Sequence, residues 1–299
     1  MLEDIFSKVN ASKTKEQVSN WSDSINACND WLRKTIELSP ERDNALIIGV
    51  GQADDFSLPL IVDEFKNVYL LDIDSKALDV AYCKLDISRR QKVKLVPCDI
   101  TGLSERIVEL YNIMNDGTSP DKIKRKFELF RDQLPKRFKP VNFNIPGCSW
   151  IFSNCITTQF LSPVIMQINP NDQEQSEIYK IATHISHRIL APYLRLIETM
   201  LKRKGILAYS TDVFKIDSDT KNIIERTSGL SIKSLAKNPL QIVKLTEKLT
   251  ICIAGWNAVK ACSQYKIDRL QVKGLFDSWL WNFDDKKQYI VLAYAFEKN

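Results

Sequence analysis

Asn44–Pro59 reads NALIIGVGQADDFSLP, and its interpretation decides the fold. The apolar run Ala45 to Gly49 is short enough for a strand buried on both faces. Gly49 and Gly51 follow two apart, the layout of a strand feeding a nucleotide-binding turn. Asp54 and Asp55 then stand where a phosphate-binding loop needs glycine and backbone N–H groups. Two carboxylates there repel a pyrophosphate, and Asp54 replaces the small third residue of G-x-G-x-x-G/A that lets helix and strand pack closely. NAD is therefore disfavoured. A P-loop is excluded as well, since no G-x-x-x-x-G-K-[ST] occurs.

Outward from this stretch the pattern alternates. VYLLD (68–72) reads as a second buried strand and VKLVP (93–97) as a third. Between them Ser75 is placed to cap a helix over 76–90, with Leu78, Ala81, Tyr82 and Leu85 on one face. This β-α-β-α-β order predicts a parallel sheet with right-handed crossovers. SWIFSN (149–154) and ILAYST (206–211) continue it, separated by a long helix expected to bend at Pro192 and end at Gly205. The last residues, SWLWNFDDKKQYIVLAYAFEKN, predict an antiparallel hairpin turning at Asp284–Lys287. Upstream, Trp21, Ile25, Cys28, Leu32 and Ile36 make one apolar stripe along a helix over 14–38. The expected fold class is α/β: a doubly wound, mostly parallel seven-stranded sheet with a C-terminal antiparallel hairpin and an N-terminal helical cap. The cap takes residues 1–43. Residues 44–299 form the Rossmann-like domain, with a two-helix insertion at about 101–148.

Three acceptor-bearing residues fall just past successive strands: Asp72, Asp99 and Asn154. In a doubly wound sheet the carboxyl ends of the strands share one edge, where ligands bind. Asp72 lies 72 − 49 = 23 positions after Gly49, a spacing that suits an acceptor for ribose hydroxyls. A nucleoside without phosphates fits an acidic loop. S-adenosylmethionine, with its ammonium and sulfonium, turns the acid from a repulsion into an attraction.

At these residues the chain resembles the class I S-adenosylmethionine-dependent methyltransferases. LIIGVGQA is similar to their first motif, with Ala53 where the third glycine usually stands. VYLLDID is similar to the second, which implies Asp72 on the ribose and Ile73 beside the adenine. LVPCDI resembles the third, implying Asp99 at the adenine amino group, and IFSNCITTQFL resembles the run after the fourth strand in small-molecule methyltransferases. The implied cofactor set is Gly49, Gly51, Asp54, Asp72, Ile73, Asp99 and Asn154, and the implied acceptor is a small molecule. The chain departs from the pattern at Ile47, where an acid often precedes the first glycine; Asp54 or Asp55 is the available substitute. Aminopropyl- and aminocarboxypropyl-transferases share the fold and remain open readings, as does a relative that no longer turns over. The D/N-P-P-[YF] signature is absent, Ser153-Asn154-Cys155-Ile156 standing in its place.

Other features carry less. His184 and His187, the two histidines, sit three apart on a helix face. They are weak catalytic candidates as bases near the substrate, and no neighbouring acid or thiol gives them metal-ligand spacing. Residues 121–140 hold eight Lys or Arg against three acids, with Phe127, Phe130 and Phe138 interleaved. This reads either as a solvated basic face on an active-site lid or as a track for RNA. Trp31, Trp256, Trp279 and Trp281 read as core or hairpin packing. Seven scattered cysteines, none in C-x-x-C, point to reduced thiols and a cytoplasmic protein. No window has the length of a membrane span, and no secretory signal is read at the N-terminus. A net charge of +5 is too mild to demand nucleic acid, and the oligomeric state is not written in the sequence.

Overall fold

The computed structural model describes residues 2–134, 144–169, 172–249 and 258–299. Three helices come first: α1 (Leu2–Ala11), α2 (Lys15–Ser19) and α3 (Ser22–Leu38). The apolar stripe over 14–38 is thus two helices. The break falls at Asn20–Trp21, where the Asn20 N–H closes α2 and the Trp21 indole donates to the carbonyl of Phe283 at 3.0 Å.

The alternating segment follows as β1 (Asn44–Ile48), α4 (Leu58–Glu64), β2 (Asn67–Asp72), α5 (Ser75–Cys83), α6 (Ile87–Arg90) and β3 (Val93–Pro97). Pro59 sits in the first turn of α4, where its missing N–H costs nothing. Asp74, one residue before the expected Ser75, caps α5 by accepting from the Ala77 N–H at 3.2 Å. The helix expected over 76–90 is divided because Asp86 starts a new turn, accepting from the Arg89 N–H. Next come α7 (Ser104–Asn115), α8 (Pro120–Gln133), β4 (Cys148–Asn154), α9 (Ser162–Ile165), α10 (Gln173–Met200) and β5 (Leu201–Ile216). The chain closes with α11 (Lys221–Ser228), α12 (Ile232–Leu235), α13 (Pro239–Thr246), α14 (Ala258–Gln264), β6 (Leu270–Trp281) and β7 (Gln288–Lys298).

Helix α10 runs unbroken through Pro192 and ends at Met200, five residues before the expected stop. Gly205 belongs to β5 instead. A Cβ there would sit 2.9 Å from the Lys202 carbonyl and 3.1 Å from that of Cys148, so close backbone approach requires the glycine.

The seven strands are ordered β3-β2-β1-β4-β5-β7-β6, the first five parallel and β7 antiparallel to both neighbours. This is the Rossmann-like α/β sheet with a terminal antiparallel hairpin. Alternate side chains divide between two cores, as period-2 strands require. Ala45, Ile47, Leu70, Trp150 and Phe152 pack with Trp31 and Leu32 of α3. Leu46, Ile48, Leu71 and Ile151 pack with Phe127 of α8 and Ile189 of α10. Full burial of such side chains contributes about 1.5–3 kcal/mol each. The order reverses between β1 and its neighbours β2 and β4, which opens a crevice at the carboxyl ends of β1 and β4.

Candidate functional site

The chain leaves β1 through Gly49 (φ +78°), Gly51 (φ +50°) and Ala53 (φ +53°), a turn of left-handed positions. A Cβ at Gly49 would stand 3.0 Å from both the Asn154 carbonyl and Ile156 Cβ, so the turn presses directly on the end of β4. From the other side the turn is held by Asp72. One oxygen of that carboxylate accepts from the Gly51 N–H at 2.7 Å, the other from the Asp74 N–H at 2.9 Å. Asp72 is buried, and burial raises its pKa, opposed in part by those backbone donors. Ile73 is partly buried against the core on the α8 and α10 side.

Asp74 is the anchor of the N-terminal helix. It accepts from Ser7 Oγ at 2.7 Å and Asn10 Nδ2 at 2.8 Å, while Glu3 accepts from Ser75 Oγ at 2.5 Å. Helix α1 therefore lies across the ends of β1 and β2, with Asn10 Oδ1 3.8 Å from where a Gly51 Cβ would be. Sequence reasoning missed Ser7, Asn10 and Asp74, since nothing local marks residues 64 to 67 positions apart as partners.

Across the β1/β4 crevice, Asn154 Nδ2 donates to Asp55 Oδ2 at 2.7 Å, and Asn154 Oδ1 faces Ser210 Oγ at 3.3 Å. Desolvation raises the Asp55 pKa, the Asn154 hydrogen bond opposing it. Asp54 turns elsewhere and pairs with Lys84 at 2.5 Å. Asp99 spends both oxygens on the start of α7, accepting from Thr101 N and Oγ1 (2.8 and 2.7 Å) and from Ser104 N and Oγ (2.9 and 2.6 Å). The geometry thus brings Gly49, Gly51, Asp72 and Asn154 to one edge, puts Ile73 next to them, and gives Asp54 and Asp99 local partners.

A further acid stands in β5 just past its last pairing with β4. Asp212 is 3 % exposed. Its Oδ2 accepts from Thr158 Oγ1 at 3.1 Å, and among the described residues its buried Oδ1 has no hydrogen-bond partner. Burial pushes its pKa up to about 7; Cys155 and Thr158 oppose the rise and Asp55 adds to it. Beside it Cys155 holds a left-handed conformation (φ +46°) directly after β4, its N–H on the Ser210 carbonyl at 3.1 Å. The signal for Asp212 was present: it follows the apolar run of the fifth strand as Asp72 follows that of the second.

The histidines lie apart from this cluster, on α10. His184 is exposed, and the His187 pKa is lowered by burial and then by the charges of His184 and Lys260. In the basic segment Lys124 pairs with Glu177 and Lys126 with Glu109 on the surface. Phe127 and Phe130 are 0 % and 5 % exposed and so are not free to stack on bases. Phe138 and Trp256 lie outside the described residues. Trp31 is core, and Trp279 and Trp281 line a small cavity with Asp55, Asn154 and Cys155. Among the described residues no group of three His, Cys, Asp or Glu converges as metal ligands. Among them, too, no helix is long and apolar enough to cross a membrane.

No family model matches the sequence, and no curated protein does. Solved structures do resemble it. One is a chain of the complex between the Haloferax volcanii methyltransferase activator Trm112 and a methyltransferase (11 % identity, TM-score 0.46, covering 100 % of this chain and 97 % of that one). A second is the N-methyltransferase NodS from Bradyrhizobium japonicum WM9 (9 % identity, TM-score 0.43, 90 % and 92 % covered). A third is the geranyl diphosphate C-methyltransferase from Streptomyces coelicolor A3(2) (10 % identity, TM-score 0.41, 89 % and 76 % covered). Likenesses at these scores decide neither cofactor nor substrate, and the fold rests on the strand order itself.

Proposed function

We propose that the chain is an S-adenosylmethionine-dependent methyltransferase acting on a small molecule. The observation that carries this is the charge of the carboxyl edge. Asp72, Asp74 and Asp212 are buried there with Asp55 between them, and among the described residues none of the four makes an ion pair. Such an edge repels phosphates and attracts a cationic nucleoside. The donor set fits that group: each Asp72 oxygen spends one lone pair on a backbone N–H and keeps another for a ribose hydroxyl. Ile73 supplies an apolar neighbour for the adenine, and the Asp55–Asn154 pair faces the ammonium end. Asp54 and Asp99 we assign to holding the loop and α7.

When bound, the cofactor supplies an electrophilic carbon on a sulfonium. The chain's part is alignment in a water-poor edge, which accounts for much of the rate in such transfers. Ile47 is compatible with this reading: it is 0 % exposed in the core, and the glycine turn is fastened from the β2 side by Asp72.

Calorimetric titration with S-adenosylmethionine, S-adenosylhomocysteine and decarboxylated S-adenosylmethionine tests the proposal. Binding of the first two is expected, and Asp72→Ala should weaken it by about one to two orders of magnitude, the loss of charge-assisted hydrogen bonds. Preference for the decarboxylated form moves the reading to aminopropyl transfer. Unchanged affinity in a folded Asp72→Ala variant removes Asp72 from the site, and no binding of any of the three sinks the proposal.

A further inference from the structure

Helix α1 carries two stripes. Leu2, Ile5 and Phe6 pack on the α8 and α10 side of the core, while Glu3, Ser7 and Asn10 recur at i, i+4 and i+7 along one line of the helix. All three polar residues engage residues 74 and 75, just past β2. Glu3 Oε1 accepts from Ser75 Oγ, and Ser7 Oγ and Asn10 Nδ2 donate to Asp74. An ionised carboxylate only accepts, so the Asn10 amide has to turn its Nδ2 to Asp74.

That leaves Asn10 Oδ1 to face the glycine turn. It lies 3.8 Å from where a Cβ on Gly51 would be. Among the described residues no other atom, outside that glycine and its chain neighbours, comes within 4 Å of the point. Among them, too, no hydrogen bond to this oxygen forms. Four residues thus close a ring. The Gly51 N–H donates to Asp72 Oδ2 (2.7 Å), the Asp74 N–H to Asp72 Oδ1 (2.9 Å) and Asn10 Nδ2 to Asp74 Oδ2 (2.8 Å), while Asn10 Oδ1 comes back over Gly51. Asp74 therefore fixes Asn10 relative to Asp72. Gly51 is flanked by one acceptor at its N–H, Asp72, and by a second over its Cα, Asn10. A ligand with two donors on neighbouring atoms satisfies both, and the cis-diol of a ribose has one hydroxyl for each.

We propose that Asn10 reads the ribose: with a nucleoside on the turn, its Oδ1 accepts from one hydroxyl of the cis-diol and Asp72 from the other. The proposal rests on the nucleoside reading of this site and deepens it, since the N-terminal helix then belongs to the pocket and is more than its cover. The consequence is selectivity. A 2′- or 3′-deoxy nucleoside leaves one acceptor facing it without a donor, and sites built to bond a hydroxyl discriminate against its loss.

Equilibrium titration of the full-length protein with S-adenosylhomocysteine and its 2′-deoxy and 3′-deoxy analogues tests this in wild type, Asn10→Ala and Ser7→Ala. Ser7→Ala removes another donor to Asp74 and leaves Asn10 Oδ1 in place, so it reports what loosening α1 does by itself. Wild type is expected to bind each deoxy analogue about tenfold more weakly than the parent. Asn10→Ala should lose about tenfold for the parent and then bind it and one analogue equally, the other analogue staying about tenfold weaker. Ser7→Ala should keep both preferences. The assignment is overturned, with the nucleoside site left standing, by a wild type that binds but ignores both hydroxyls. The same holds for an Asn10→Ala variant that binds as wild type does, or that weakens equally for all three ligands. Tighter binding by Asn10→Ala also overturns it and makes α1 a barrier. A wild type that binds none of the three removes the site itself, and the role of Asn10 with it.

Discussion

Asp74 and Asp212 are both buried aspartates at the carboxyl edge, 1 % and 3 % exposed, yet their surroundings differ. Asp74 accepts three hydrogen bonds, from Ser7, Asn10 and the Ala77 N–H, and through them fastens α1 over the glycine turn. Asp212 accepts from Thr158 with the Cys155 thiol beside it, and among the described residues its other oxygen has no partner. The first carboxylate is consumed by the architecture; the second is only partly satisfied where it is buried. The difference separates a carboxylate that fastens the edge from one that is left with a desolvation cost.

Three variants break or sharpen that contrast. The largest effect is expected on the architectural side, where Gly49→Ala combines a left-handed φ with a Cβ 3.0 Å from the Asn154 carbonyl and Ile156 Cβ. It should cost about 2–4 kcal/mol in urea denaturation, strain and overpacking adding together. A loss under about 0.5 kcal/mol would show that turn and β4 loop are not pressed together.

Asp212→Asn should act in the opposite direction. A folded pKa of about 7 against an ordinary 3.8 means that the folded state binds this proton more tightly than the unfolded chain. The wild type therefore loses stability as pH rises from near the ordinary value to about 7, and above that the full penalty stands. An uncharged Asn escapes it, so the variant should be more stable by about 1–3 kcal/mol at pH 8 and gain little at pH 4. Thermal denaturation across pH measures this, and a variant less stable than wild type at pH 8 contradicts an unsatisfied Asp212.

The smallest effect belongs to α1. Ser7→Ala with Asn10→Ala removes two donors from Asp74 and should cost about 1–2 kcal/mol locally. Hydrogen exchange of α1 amides should speed up while the strands keep their protection. Uniform loss of protection throughout the sheet would mean that α1 is part of the global folding unit.

Much of the edge was legible because its markers are local. Gly49, Gly51, Asp72 and Asn154 each stand one or two residues past an apolar run, and strand ends in a parallel sheet share one edge whatever the rest of the chain does. Asp99 follows its strand by the same rule and Asp54 follows the glycine turn, and both have local partners. The reason is geometric: Lys84 reaches Asp54 from α5, and Thr101 with Ser104 curls back on Asp99. The basic run with interleaved Phe was ambiguous for a related reason, since an aromatic stripe looks the same whether it stacks on bases or, as at Phe127, fills a core. Gly205 was misread as a helix stop because a glycine demanded by close backbone contact has the same letter as one demanded by a cap.

By itself the sequence determined the alternating strands, their parallel pairing, the closing hairpin and the acid-bearing glycine turn. These follow from period, turn chemistry and charge within a few residues. Only the tertiary structure decided that Asn10 lies over Gly51, that Asp55 meets Asn154 across the crevice, and that Asp212 is left one partner short. Those facts depend on register and on a bulge that bring together residues 54 to 99 positions apart, and no local pattern encodes which donors a buried oxygen will lack.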